Sequence, residues 1–177
     1  MDFQTPWIKY GVIYGIISVC LFLFSSYISP LGIWVQFFVG FLIMIVFMVL
    51  SAKEEKASKD GILNYGEALK NTFLTGFIGL IISGLTTLIM VHLVDPSLLG
   101  ILQEQAVESV ESMMSSFGVS DDVISEAMEK AEADMEAQFT PLSQILNILK
   151  SSIMVVIIAA IVSIFVKKNE NIHDIKL

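Results

Sequence analysis

The chain has 177 residues, of which 55% are hydrophobic and 16% charged, with a mean hydropathy of +0.76. A soluble domain of this size carries about 25% charged residues, so an ordinary soluble fold is excluded. The ten basic residues are all lysine, their only run is Lys167-Lys168, and the formal net charge is −8, which excludes a nucleic-acid surface.

Four apolar runs organise the sequence, at about residues 8–29, 31–50, 72–94 and 145–166. A helix of ~20 residues crosses a hydrocarbon core of ~30 Å at ~1.5 Å per residue. Backbone groups in lipid must be satisfied within their own segment, so the runs are read as helices. The expectation is an all-α, polytopic membrane protein with four transmembrane helices, forming one membrane domain over residues 1–177. Cys20, the single cysteine, lies within the first run and excludes an intrachain disulfide. Val19 before it is bulky for a lipoprotein site, and no small-residue cleavage pattern follows, so a lipoprotein signal or cleaved leader is not expected.

Between the first two runs, Ser29-Pro30-Leu31-Gly32 carries no charge. The segment 51–69 holds Lys53, Lys56 and Lys59, with Lys70 just after it. The tail holds Lys167, Lys168 and Lys176, and the N-terminal flank holds Lys9. Lysine marks the cytoplasmic side. Four spans place all these lysines on one side, so both termini and the 51–69 loop are expected in the cytoplasm, with the bacterial inner membrane as location.

In the first run Gly11 and Gly15 form G-x-x-x-G, extended by Ser18 and Ser25. In the third, Thr72, Gly76, Gly79, Ser83 and Thr87 make a stripe of small residues, and the fourth has Ala159-x-x-x-Ser163. Small residues let helix backbones approach where no hydrophobic drive exists. The expectation is helix packing through Gly11, Gly15, Gly76, Gly79 and Ser83, within the chain or between copies. The sharper alternative is a substrate path along the glycines of span three.

Ionisable residues in the spans are few, and they are where activity would be sought. Gln36 stands alone in span two. His92, Asp95 and Lys150 fall near the outer ends of spans three and four, with Gln144 and Asn147 on the turns above Lys150. They form either a polar rim site or interfacial, snorkelling side chains. Asn64-Tyr65-Gly66-Glu67 has capping-box spacing, which gives Glu67 a structural role beside its candidacy as a polar site.

The segment 97–139 is read as an extracytoplasmic amphipathic helical hairpin. Asp95-Pro96-Ser97 ends span three and offers a serine N-cap. Leu98, Leu99, Ile101, Leu102, Ala106, Val107, Val110, Met113, Met114 and Phe117 recur at helical spacing up to Gly118, a helix stop. Ser120-Asp121-Asp122 opens a second helix, whose apolar set is Val123, Ile124, Ala127, Met128, Ala131 and Met135. Thr140-Pro141 then starts span four. From Asp95 to Glu136 there are eleven acids and one lysine. The apolar stripes either pack on each other and the bundle end, dock a partner or second copy, or lie in the lipid interface. Residues 121–132 lack the ligand alternation and glycine of a calcium loop. The methionines are ordinary fillers of apolar stripes, not a copper motif.

No nucleophile–base pair, metal cluster, P-loop or dinucleotide fingerprint occurs. No enzyme activity and no cofactor or metal is expected. The expected partners are the lipid bilayer and either a second copy or another membrane protein. A subunit of a small transporter or channel is the alternative.

The segment Gly61-Ile62-Leu63-Asn64-Tyr65-Gly66-Glu67-Ala68-Leu69-Lys70, the Val94-Asp95-Pro96 break, the acidic Met/Glu-rich stretch and Thr140-Pro141 resemble the bacterial membrane-protein family termed domain of unknown function 4199. The resemblance spans nearly the full chain. It implies four spans, no assigned activity, and no catalytic residue to carry over.

Overall fold

The computed structural model describes residues 5–28 and 32–168, with only the backbone described at Ile33, Met135 and Glu136. Ser29, Pro30 and Leu31 of the uncharged loop, and Lys176 of the tail, lie outside the described residues. The described residues are mainly helical: α1 Pro6–Tyr27, α2 Ile33–Ala57, α3 Tyr65–Ile89, a π turn Met90–Val94, α4 Leu98–Ser116, α5 Asp121–Gln138 and α6 Pro141–Val166. Among the described residues there is no strand, only an isolated antiparallel bridge between Leu63 and Lys168.

The helices outrun the apolar runs that announce them. Helix α2 continues to Ala57 through Lys53-Glu54-Glu55-Lys56, residues that end hydrophobicity but are good helix formers. Helix α3 starts at Tyr65, behind a closed capping box: the Glu67 N–H donates to Asn64 Oδ1 at 3.0 Å, and the Asn64 N–H donates to Glu67 Oε2 at 3.2 Å. Helix α6 starts at Pro141, where Thr140 Oγ1 accepts the Ser143 N–H at 3.3 Å. Gly118 has φ +70°, a left-handed turn that glycine adopts without strain, and it ends α4.

Among the described residues, four helices are long and apolar enough to cross a membrane. No more than 28% of the most apolar window of any of them is buried. Trp34, Phe37, Phe38 and Leu42 on α2, and Ile153, Ile157, Ile161 and Phe165 on α6, leave large apolar surfaces exposed. Such surfaces suit a lipid solvent and fit a multi-pass membrane protein.

The contacts divide the chain into two compact units. The first comprises residues 5–18, 41–83 and 150–168. Its core is Met44, Met48, Ala52, Leu63, Ala68, Val155, Ile158, Ala159, Val162 and Val166. The Leu63–Lys168 bridge ties the α2–α3 loop to the end of α6, with N···O distances of 3.0 and 2.8 Å. Lys56 Nζ donates to the Val166 carbonyl at 3.0 Å, which satisfies one of the free C-terminal carbonyls of α6. Lys9 on α1 pairs with Glu54 on α2 at 2.7 Å.

The second unit comprises residues 19–28, 32–40 and 84–149. Within it α4 and α5 lie against each other. Leu98, Ala106 and Ile124 are buried there. Val123 is not part of that contact: it is 48% exposed, because the stripe facing α4 runs through Ile124, Ala127, Met128 and Ala131. Ser97 also differs from expectation. It occupies the N-cap position, but its hydroxyl caps nothing and donates to Asp95 Oδ1 at 2.5 Å. Asp95 Oδ1 accepts the Ser97 N–H as well, at 3.1 Å, so the aspartate organises the helix start in place of the serine.

Candidate functional site

The small residues of the first unit are contact points. A Cβ on Gly11 would lie 2.9 Å from Ile78 Cβ and from the Thr75 carbonyl, and one on Gly15 would lie 2.8 Å from Ile82 Cβ. From the other side, Tyr14 of α1 lies over Gly79 and leaves no room for a Cβ there. Gly76 faces the remaining two helices, with Met48 of α2 and Val155 of α6 against it. Helix α3 thus touches α1, α2 and α6 through glycine contacts of its own unit. Ser83 is half-buried and donates to the Leu80 carbonyl one turn back, at 3.2 Å.

One turn further along the same stripe the contacts become polar. Ser51, Asn71, Thr72, Thr75 and Ser163 are all buried. Ser51 Oγ on α2 donates to Asn71 Oδ1 on α3 at 2.8 Å. Thr75 Oγ1 lies 2.9 Å from Ser51 Oγ and 2.8 Å from the Asn71 carbonyl. On the α6 side, Thr72 Oγ1 and Ser163 Oγ are 3.0 Å apart, and Ser163 Oγ donates to the Ala159 carbonyl at 2.6 Å. Hydroxyls that also bond their own helix carbonyls need few outside partners, which makes serine and threonine tolerable in lipid. Asn71 is the exception. It is 3% exposed, yet its Nδ2 has no hydrogen-bond partner among the described residues. Turning the amide over would let Nδ2 donate to Ser51 and would leave Oδ1 unpaired instead. Either way one polar atom of a buried amide lacks a protein partner, at a desolvation cost of ~1–3 kcal/mol.

Among the other sequence candidates, Glu67, His92 and Asp95 each have hydrogen-bond partners. Glu67 is bound by Asn64 through the capping box and by Lys59 at 2.7 Å, with Glu55 on the same lysine at 3.2 Å. The hydrogen bond to Glu67 holds the Lys59 ammonium above its usual pKa. His92 lies in the π turn, and its Nε2 donates to the Phe139 carbonyl at 2.7 Å. Asp95 accepts from Ser97 and from the Tyr27 hydroxyl at 2.6 Å. These hydrogen bonds, Ser97 first, hold its carboxyl below the usual aspartate range. Lys150 is exposed in the first unit. Gln36 does not stand alone: its Oε1 accepts from Ser25 Oγ at 3.2 Å. Gln144 is buried, and its Nε2 has no partner among the described residues. Among the described residues, no three His, Cys, Asp or Glu side chains are grouped to hold a metal ion.

Ser51 and Asn71 carry no signal as a pair in the sequence. Ser51 follows the last apolar residue of its run, and Asn71 precedes the glycine stripe, so both read as boundary residues. Only the extension of α2 past Leu50 and the early start of α3 bring them together inside the packed region.

The whole segment from residue 9 to residue 168 matches one family model, described as a protein of unknown function (DUF4199). The chain belongs to the DUF4199 family. No curated protein and no solved structure matches it. Among the described residues, the matched segment holds four membrane-length helices, a buried hydroxyl–amide cluster and the helix pair α4–α5.

Proposed function

We propose that this protein is a non-enzymatic integral protein of a bacterial inner membrane that works by associating with a partner membrane protein or a second copy. Both termini and the α2–α3 loop lie in the cytoplasm, and α4–α5 form an acidic hairpin on the other side. The lysine distribution supports the orientation, since Lys9, Lys53, Lys56, Lys59, Lys70, Lys167 and Lys168 share one side. The observation that carries the association is the α4–α5 turn. Phe117 is 80% exposed there, with Met113 and Val123 also exposed, while the remaining stripe is used by the contact of α4 with α5. An exposed aromatic with apolar neighbours on an acidic surface is an interaction patch before it is anything else.

A second reading, a subunit of a small transporter, is favoured by one observation: the incompletely paired Asn71 amide among buried hydroxyls. Intramembrane polar groups of this kind face the bundle interior and can line a path.

Deleting residues 98–138 and joining α3 to α6 with a Gly/Ser linker separates the two readings. Association predicts that the four spans still insert but co-purification with the partner or self-association is lost, while Glu67→Gln, Asn71→Leu and Lys150→Gln leave it intact. Loss of function in the point variants with retention in the deletion would favour transport. Cysteines placed at Ser115 and after Lys168 test the orientation, with only the former expected to react with an impermeant thiol reagent.

A further inference from the structure

We propose that the groove between the first turn of α2 and helix α4 is a binding site for an organic ammonium ion. The groove lies wholly within the second unit and has a volume of about 430 Å³, within the ~300–1,000 Å³ usual for small-molecule sites. One wall carries Trp34. The other is a single face of α4 that presents Gln105, Glu108, Ser109, Ser112 and Ser116 at helical spacing. Trp34 stands in the first turn of a membrane-length helix, where tryptophan is common at the interface, and its ring also borders the groove. Trp34 keeps 55% of its surface exposed, so its ring is not consumed by packing against α4.

The charge of the lining selects the ligand class. Among the described residues that line it, Glu108 is the one ionisable side chain, with no lysine or histidine to hold an anion. The surrounding segment from Asp95 to Glu136 has eleven acids against one lysine, a field that concentrates cations and repels phosphate. A tryptophan ring, a carboxylate and several hydroxyls are the groups that hold a substituted ammonium: cation–π attraction on one side, an ion pair and hydrogen bonds on the other. The ammonium can belong to a soluble amine or to the head group of an aminophospholipid. The groove shares Met113 with the Phe117 patch but not Trp34, Glu108 or Phe117, so variants at those three residues test the two readings separately.

Choline is the probe, added to the full chain in a neutral detergent, with broadening of its methyl NMR resonance as the readout. The expected result is saturable binding that equimolar sodium chloride does not displace. Glu108→Gln and Trp34→Leu should each weaken it by about tenfold or more, equivalent to the ~1.4 kcal/mol of a partly desolvated cation–π or ion-pair contact. Both side chains are exposed, so folding is retained. Glu126→Gln removes the same charge from α5 outside the groove and should have little effect. An equal loss in Glu126→Gln, displacement by salt, or binding of glucose in place of choline would each overturn the proposal. Nanodiscs distinguish the source. Choline binding that persists in phosphatidylglycerol discs and falls in proportion to added phosphatidylethanolamine assigns the site to a head group. Equal binding in both assigns it to a soluble amine.

Discussion

The two units use helices of similar length for opposite ends. In the first, α3 is flanked by glycine contacts to three helices and by hydroxyls that bond across to α2 and α6. In the second, α4 and α5 contact each other through a narrow stripe and leave their carboxylates, Phe117 and Met113 at the surface. The first arrangement tolerates almost no change of volume, because close-packed backbones have nowhere to move. The α4–α5 pair of the second tolerates more, because little of it is buried, although Gly84 of that unit has Ile148 against it. Constraint of packing and freedom of surface are thus separated along the chain, and the surface is where recognition chemistry can vary without unfolding the protein.

The largest effect should come from overfilling the first unit. Gly79→Leu places a bulky side chain where Tyr14 already lies, and Gly15→Leu drives against Ile82. Each is expected to cost at least the upper part of the ~1–3 kcal/mol typical of overpacking, read as a lower melting temperature in detergent. At Gly40 and Gly100 an added Cβ would meet nothing within 4 Å, so Gly40→Ala and Gly100→Ala should leave the melting temperature unchanged or raise it slightly, alanine being the better helix former. Equal stability across all four variants would mean that the glycine contacts do not hold the first unit together.

A smaller effect tests whether the buried polar cluster stabilises. Ser51→Ala leaves the Asn71 amide with fewer partners still and should cost about 1 kcal/mol, in the range measured for interhelical hydrogen bonds in membranes. Adding Asn71→Leu removes the unpaired amide altogether and should return most of that loss, since an apolar pair replaces both partners. Recovery of stability with loss of function would show that the cluster is retained for activity, and would move the reading toward transport. In the second unit Glu111→Gln, on an exposed part of α4, should change stability by less than ~0.5 kcal/mol.

Much of this contrast is readable in the sequence. Span number follows from apolar length, because lipid gives a helix no other way to satisfy its backbone. The capping box at Asn64 and Glu67 and the stop at Gly118 are legible because each is a local rule with few exceptions. Three features are not. Helix α2 runs on past Leu50 because charged residues end hydropathy without ending helicity. The π turn at Met90–Val94 depends on a shift of hydrogen-bond register, seen in the Asp95 N–H reaching the Met90 carbonyl at 2.8 Å, which no side-chain pattern announces. The partners of His92 and Asp95, the Phe139 carbonyl and the Tyr27 hydroxyl, are distant in sequence and carry no motif.

The smallest expected effect is a difference in how the two units answer pH. Asp95 belongs to the second unit, and hydrogen bonds from Ser97 and Tyr27 lower its folded pKa below the ordinary value of 3.8. Its contribution to stability is therefore full above that value and is lost as pH falls through the folded pKa. Lys59 belongs to the first unit, and Glu67 raises its folded pKa above 10.5. Its contribution is full below that value and is lost as pH rises through the folded pKa. Acid should thus speed amide hydrogen exchange selectively at residues 95–98, beyond the intrinsic pH dependence of exchange, and alkali should do so at residues 59–67. Both pairs are solvent-exposed, so the changes should be modest and weakened by salt. Asp95→Asn should abolish the acid response and Lys59→Gln the alkaline one, each without touching the other. A response shared by both segments at either extreme would mean that one cooperative structure titrates, and that the division into a packed unit and a separate acidic one does not extend to their stability.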